Sequence, residues 1–199
     1  DAYITPTLCQ PRAGYERARQ GIEESLARLQ TDYIDLLLIH EPYDEALDMY
    51  RALTEAYRQG VIRAIGISNF NAREYLDFIG SCDVIPMVNQ VECHIYYRRK
   101  ELQQALVTQG TQIQAWIPFT EGKKPIFQEP ILQAVGEKYG KTAAQIALQY
   151  LVPGHRRHSE IVPSGADGGE SRYFRRHPDT GRHGPDSAVR DGENPVWLV

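Results

Sequence analysis

The run Tyr33-Ile34-Asp35-Leu36-Leu37-Leu38-Ile39, which stops at His40-Glu41-Pro42, constrains the fold most. It is apolar at both odd and even positions apart from Asp35, so it suits a strand covered on both faces. Strands of that kind belong to parallel sheets. Three further short runs follow: Ile62 to Ile67 closed by Ser68-Asn69, Pro86 to Val91, and Thr111 to Trp116. Helical spacing fills the gaps. Ile22, Leu26 and Leu29 line one face of residues 15–29, and residues 45–59 stop at Gly60. Residues 72–79 form a short helix with Asn71 as its N-cap, and 98–109 end at Gly110. Two more helices, near 129–139 and 142–152, are separated by Gly140. This alternation predicts an α/β fold on a parallel sheet, without choosing between an open sheet and a closed barrel.

A chain of 199 residues can bury one real core. Its net charge of −4 is spread over both signs, which points to neither nucleic acid nor an anionic membrane as partner. Cys9, Cys82 and Cys93 form no C-x-x-C pair. A disulfide framework or structural metal site is therefore not expected, and a reducing, cytoplasmic setting fits. No apolar run reaches the roughly 18 residues a membrane span requires. The start, Asp1 to Thr5, has no basic n-region and reads like the inside of a strand, so an upstream part is expected to be missing.

In a parallel barrel, functional groups gather at the C-terminal ends of the strands. Here His40, Ser68-Asn69, Asn89-Gln90 and Trp116 all fall at or near such ends. Any one of them has an ordinary structural explanation as a turn, a cap or a buried hydrogen-bonding group. Four successive strands ending this way would place all of them around one mouth.

The segments carry further detail. D-Y-I-D-L-L-L-I-H-E-P, G-V-I-R-A-I-G-I-S-N-F, P-M-V-N-Q-V-E-C-H, Q-A-W-I-P-F and K-T-A-A-Q-I-A-L-Q-Y resemble, in order and spacing, segments of the aldo-keto reductases. The run E-G-K-K-P-I-F-Q-E-P is most similar to the prokaryotic branch of diketogluconate reductases. The resemblance implies a (β/α)8 barrel that reduces an aldehyde or ketone with hydride from NADPH. His40 would orient the carbonyl. Ser68, Asn69 and Gln90 would hold the nicotinamide carboxamide, and Trp116 would stack on its ring. The alternative is a barrel of this kind that senses a cofactor or binds a protein without catalysis. The chain has no G-x-G-x-x-G, in keeping with a barrel.

Several departures qualify the resemblance. The family's Asp and Tyr lie upstream of the strand with which this chain begins, so the first two βα units are expected to be absent. Thr7 stands where the family's Lys belongs, and Glu41 replaces a Trp. These departures imply little turnover by the chain alone. Residues 1–152 read as a partial barrel, and 153–199 as an irregular tail with the last strand disrupted. Reading residues 152–187 one base later, with permitted codons, recovers the family's I-P-K-S and R-x-x-E-N motifs, so the tail reads as out of frame. On that reading Ser164 is not the family's phosphate-binding serine.

Overall fold

A computed structural model describes residues 4–9 and 14–151, and the backbone of 197–198. Its six strands are β1 (Thr7–Leu8), β2 (Ile34–Ile39), β3 (Ile62–Ser68), β4 (Val88–Glu92), β5 (Gln112–Trp116) and β6 (Trp197–Leu198). They lie side by side in chain order, and every ladder is parallel. A doubly wound sheet reverses its strand order at a switch point, whereas a barrel steps always to the next neighbour. The stepwise order therefore decides what alternation alone left open. The fold is α/β, with part of a (β/α)8 barrel.

The helices are α1 (Tyr15–Leu29), α2 (Ala46–Arg58), α3 (Ala72–Ile79), α4 (Lys100–Gln109), α5 (Pro130–Tyr139) and α6 (Ala143–Leu151). Their ends follow from local chemistry. Asn71 Oδ1 accepts from the backbone N–H groups of Arg73 and Glu74, each at 3.0 Å. Glu74 returns the bond to Asn71 N at 2.8 Å, which completes a capping box. Gly110 and Gly140 close α4 and α5 at φ 76° and 62°, values that cost glycine little. Two boundaries shift by two residues from expectation, the others by no more than one. α4 begins at Lys100, not at 98, because His94 and Tyr97 first exchange backbone hydrogen bonds of 3.1 and 2.8 Å. β4 begins at Val88 rather than Pro86, which has no N–H for a ladder and whose carbonyl instead accepts from Thr111 Oγ1 at 2.6 Å.

The sheet is covered on its outer face by helices. Leu37, Ile39, Ile65 and Ile67 share one buried cluster with Ile22, Met49 and Leu53. On the inner face Leu36 and Leu38 meet Val88. Gly66 lies between them, and a Cβ there would come within 2.5 Å of Val88 O and 2.7 Å of Leu38 Cδ2. Only glycine lets β2, β3 and β4 close this tightly. A separate cluster of Ile95, Ile126, Leu132 and Ile146 anchors α5 and α6. At the N-terminal rim, Asp35 joins three strands' worth of chain: it accepts from Ile4 N at 3.1 Å and pairs with Arg63 at 2.9 Å.

Trp197–Leu198 runs parallel beside Gln114–Ala115, a short regular segment within the stretch expected to be an irregular tail. The remainder of that stretch, Ser164 included, falls on residues 152–196 and 199, outside the described residues.

Candidate active site

Because all strands are parallel, their C-terminal ends share one rim. His40 follows β2, Ser68 ends β3, Asn69 comes next, Gln90 sits within β4, and Trp116 ends β5. The structure thus brings the five residues singled out in the sequence to the same end of the sheet. Hydrogen bonds tie them together. Asn69 Nδ2 donates to His40 O at 3.1 Å and to Glu41 Oε1 at 2.8 Å. Trp116 Nε1 donates to Asn69 Oδ1 at 3.2 Å. Chemistry fixes the orientation of this amide. An indole N–H only donates, while a carbonyl and a carboxylate only accept, so a flipped Asn69 would lose every bond. Both of its N–H groups are used, and one lone pair on Oδ1 is left over.

Asn69 has φ 66°, a left-handed conformation that asparagine tolerates better than most residues. Its backbone N–H donates to Gln90 O at 2.9 Å, and Ser68 Oγ donates to the same carbonyl at 2.9 Å. Gln90 Nε2 donates to Gln114 Oε1 at 3.1 Å, which leaves Gln90 Oε1 and its second N–H for another partner. Asn69 Oδ1 and Gln90 Oε1 are thus acceptors with unused capacity, on adjacent strand ends. Such a pair suits the NH2 of a carboxamide, and the nearby Trp116 ring supplies a flat apolar surface. The residues present therefore fit a nicotinamide. Asn89 is fully buried and donates to Phe70 O at 2.9 Å, holding the segment that follows Asn69.

Sequence reasoning passes over three other features of this rim. Glu41 reads in the sequence only as a replacement for Trp, yet it is a direct partner of Asn69. Glu92 Oε1 lies 3.1 Å from Nε2 of His94, a ring that is almost wholly buried. The E-C-H spacing is the available signal, since it puts both side chains on one side of the strand end. Cys93 between them points into the core, where burial pushes its thiol up to about 11, so it is no nucleophile at neutral pH. The third feature is strain after β5. Ile117, Thr120 and Glu121 all have positive φ, at 46°, 62° and 51°. For a β-branched residue such as Ile117 this is costly, and strain of this kind gathers at binding sites. Thr7, which the resemblance aligns with a lysine, lies on β1 opposite Leu38, beside the strand that carries His40.

The family model of the aldo/keto reductase family matches residues 8–165, and the chain belongs to that family. Glyoxal reductase of Bacillus subtilis is 39% identical over 151 residues, covering 75% of this chain and 54% of the relative. Methylglyoxal reductase DkgA of Escherichia coli K12 is 32% identical over 139 residues, 68% of this chain and 50% of the relative. The chain thus spans about half the length of the curated relatives it matches. Among solved structures, the aldo-keto reductase MGS-M4 from a Medee basin deep-sea metagenome library superposes with a TM-score of 0.72 at 34% identity, covering 75% of this chain and 56% of that one. The NADPH complex of the aldo-keto reductase AKR2E5 gives a TM-score of 0.70 at 28% identity, with 75% and 51% covered.

Proposed function

We propose that this rim is the cofactor and substrate end of an NADPH-dependent reductase of small carbonyl compounds, of the size of glyoxal or methylglyoxal. The observation that carries the proposal is the hydrogen-bonded unit of Asn69, Trp116 and the His40 segment, three strand ends locked into one surface. In it Ser68, Asn69 and Gln90 hold the nicotinamide carboxamide and Trp116 covers the ring face. The bound cofactor supplies hydride. His40 donates a hydrogen bond to the carbonyl oxygen, where negative charge develops, and so orients the substrate. The relatives' names and the NADPH-bound neighbour support this reading. Among the described residues no helix is long and apolar enough to cross a membrane, and we place the protein in the cytoplasm.

Thr7 limits the chemistry. A lysine at that position would stabilise the deprotonated form of a nearby proton donor, and threonine carries no charge with which to do so. Losing effective general acid catalysis costs about 10²–10⁴-fold, so the chain alone is expected to turn over far more slowly than its relatives.

Titration of the chain carrying Trp197→Phe with NADPH tests the cofactor reading through energy transfer from Trp116 to the nicotinamide. Saturable quenching is expected, weakened about 2- to 12-fold by Gln90→Ala, the worth of one hydrogen bond. Absence of saturable quenching would refute the reading. NADPH oxidation with methylglyoxal at a rate normal for such reductases would refute the part assigned to Thr7.

A further inference from the structure

The rim carries one carboxylate that the resemblance leaves without a role. Glu41 Oε1 accepts from Asn69 Nδ2 at 2.8 Å and lies 3.9 Å from His40 Nδ1. Its side chain is 41% exposed, and among the described residues no Lys or Arg pairs with it. Asn69 cannot turn away, because Trp116 and His40 O hold its amide from the other sides. The negative charge is thus fixed beside the imidazole instead of swinging freely in solvent. Glu92, at the end of β4, adds a second carboxylate to the same rim. We infer that Glu41 makes this mouth select neutral over anionic carbonyl compounds.

The inference rests on the reading that a carbonyl compound docks beside His40. Such a compound with a carboxylate next to its carbonyl, a 2-oxo acid, would bring a second negative charge within a few ångströms of Glu41. Coulomb's law at such separations amounts to between about fivefold and several hundredfold in affinity, depending on solvent screening. A neutral dicarbonyl or hydroxyketone meets no such penalty, and it can use the Glu41 carboxylate as an acceptor for a hydroxyl or hydrate.

The test uses the full chain carrying Trp197→Phe, so that Trp116 alone emits, with and without Glu41→Gln. The substituted amide keeps an acceptor for Asn69 and removes only the charge. At constant low ionic strength, Glu41→Gln is expected to raise quenching of Trp116 by iodide at least about twofold, to lower quenching by caesium, and to leave acrylamide quenching unchanged. Hydroxyacetone and pyruvate, nearly equal in size, are then titrated against the same emission. Hydroxyacetone is expected to bind at least about fivefold tighter in the parent, with the contrast collapsing in Glu41→Gln. Equal affinities in the parent, or a contrast that survives Glu41→Gln, would overturn the assignment to Glu41. If neither compound perturbs Trp116, the docking reading itself falls, and the iodide result still decides whether Glu41 sets the field.

Discussion

Asn69→Asp changes one atom type, NH2 to O, at the centre of the rim. In the protein that nitrogen serves two acceptors, Glu41 Oε1 at 2.8 Å and His40 O at 3.1 Å. The variant loses both bonds and sets two carboxylates in contact. The bond to Glu41 is charge-assisted, so the pair of bonds is worth about 2–3 kcal/mol. Like charges at this separation add about 1.5 kcal/mol in water and more at lower dielectric, with Glu41's exposure favouring the lower figure. The variant should therefore lose about 3.5–4.5 kcal/mol at pH 7.5, and Asn69→Ala about 2–3, since it loses the bonds without the repulsion. Two ionised carboxylates in contact repel, so in the folded variant one is protonated more readily than in the unfolded chain. An acid whose folded pKa is raised loses no stability below its unfolded value and loses it progressively as pH rises through the folded one. The excess cost of Asn69→Asp over Asn69→Ala should accordingly vanish near pH 4 and grow towards pH 7. Adding Glu41→Gln should recover at least about 1 kcal/mol, because the amide then at position 41 can donate to the carboxylate at position 69. Urea midpoints across pH, read by far-ultraviolet circular dichroism, measure all four proteins. A flat pH profile, with Asn69→Asp no worse than Asn69→Ala, would show that the Asn69 amide does not engage Glu41.

Gly66→Ala should cost about 1–3 kcal/mol, since its Cβ would meet the Val88 carbonyl at 2.5 Å; Gly80→Ala, whose nearest atom lies at 3.5 Å, should cost far less, and equal urea midpoints would refute the packing argument. Tyr75→Phe should cost about 1 kcal/mol: Thr111 Oγ1 spends its proton on Pro86 O, so Tyr75 is the donor in their buried 2.6 Å bond, and the variant leaves the Thr111 hydroxyl without that donor. Burial holds the Cys82 thiol up at about 12 and Cys93 at about 11, so at pH 8 Ellman's reagent should titrate exposed Cys9 quickly and the other two only slowly until urea is added. Three equally fast thiols would contradict that burial.

The strands and helices were legible because each is specified by its own residues. The apolar run at 34–39, the Asn71 cap and the glycines after α4 and α5 all act within a few positions of themselves. The choice of rim was legible too, because parallel strands send all their C-terminal ends one way. What bonds to what on that rim was not. Asn69 meets Glu41 across 28 positions and Trp116 across 47, and those pairings depend on how three strands are staggered against each other. Gly66 is a similar case: a glycine inside a strand reads as a weak point until the neighbouring strand's carbonyl is known to lie where its Cβ would be.

Residue 69 shows how local and distant demands meet in one side chain. The backbone there is left-handed, at φ 66°, which favours glycine, asparagine and aspartate and penalises a β-branched residue. The rim demands a planar group that donates twice on one side and accepts on the other, with a stem short enough to reach His40 O, Glu41 and Trp116 at once. Glycine meets the first demand and has nothing to offer the second. Aspartate meets the first and presents an acceptor where a donor is needed. Glutamine carries the right amide on a stem one carbon too long, and with a poorer fit to the backbone. Asparagine alone satisfies both, so the S-N-F segment is constrained by the turn it makes and by partners on two other strands. The Glu41 carboxylate tightens the second constraint, because a charged acceptor facing Nδ2 makes the loss of either N–H more costly than a neutral neighbour would.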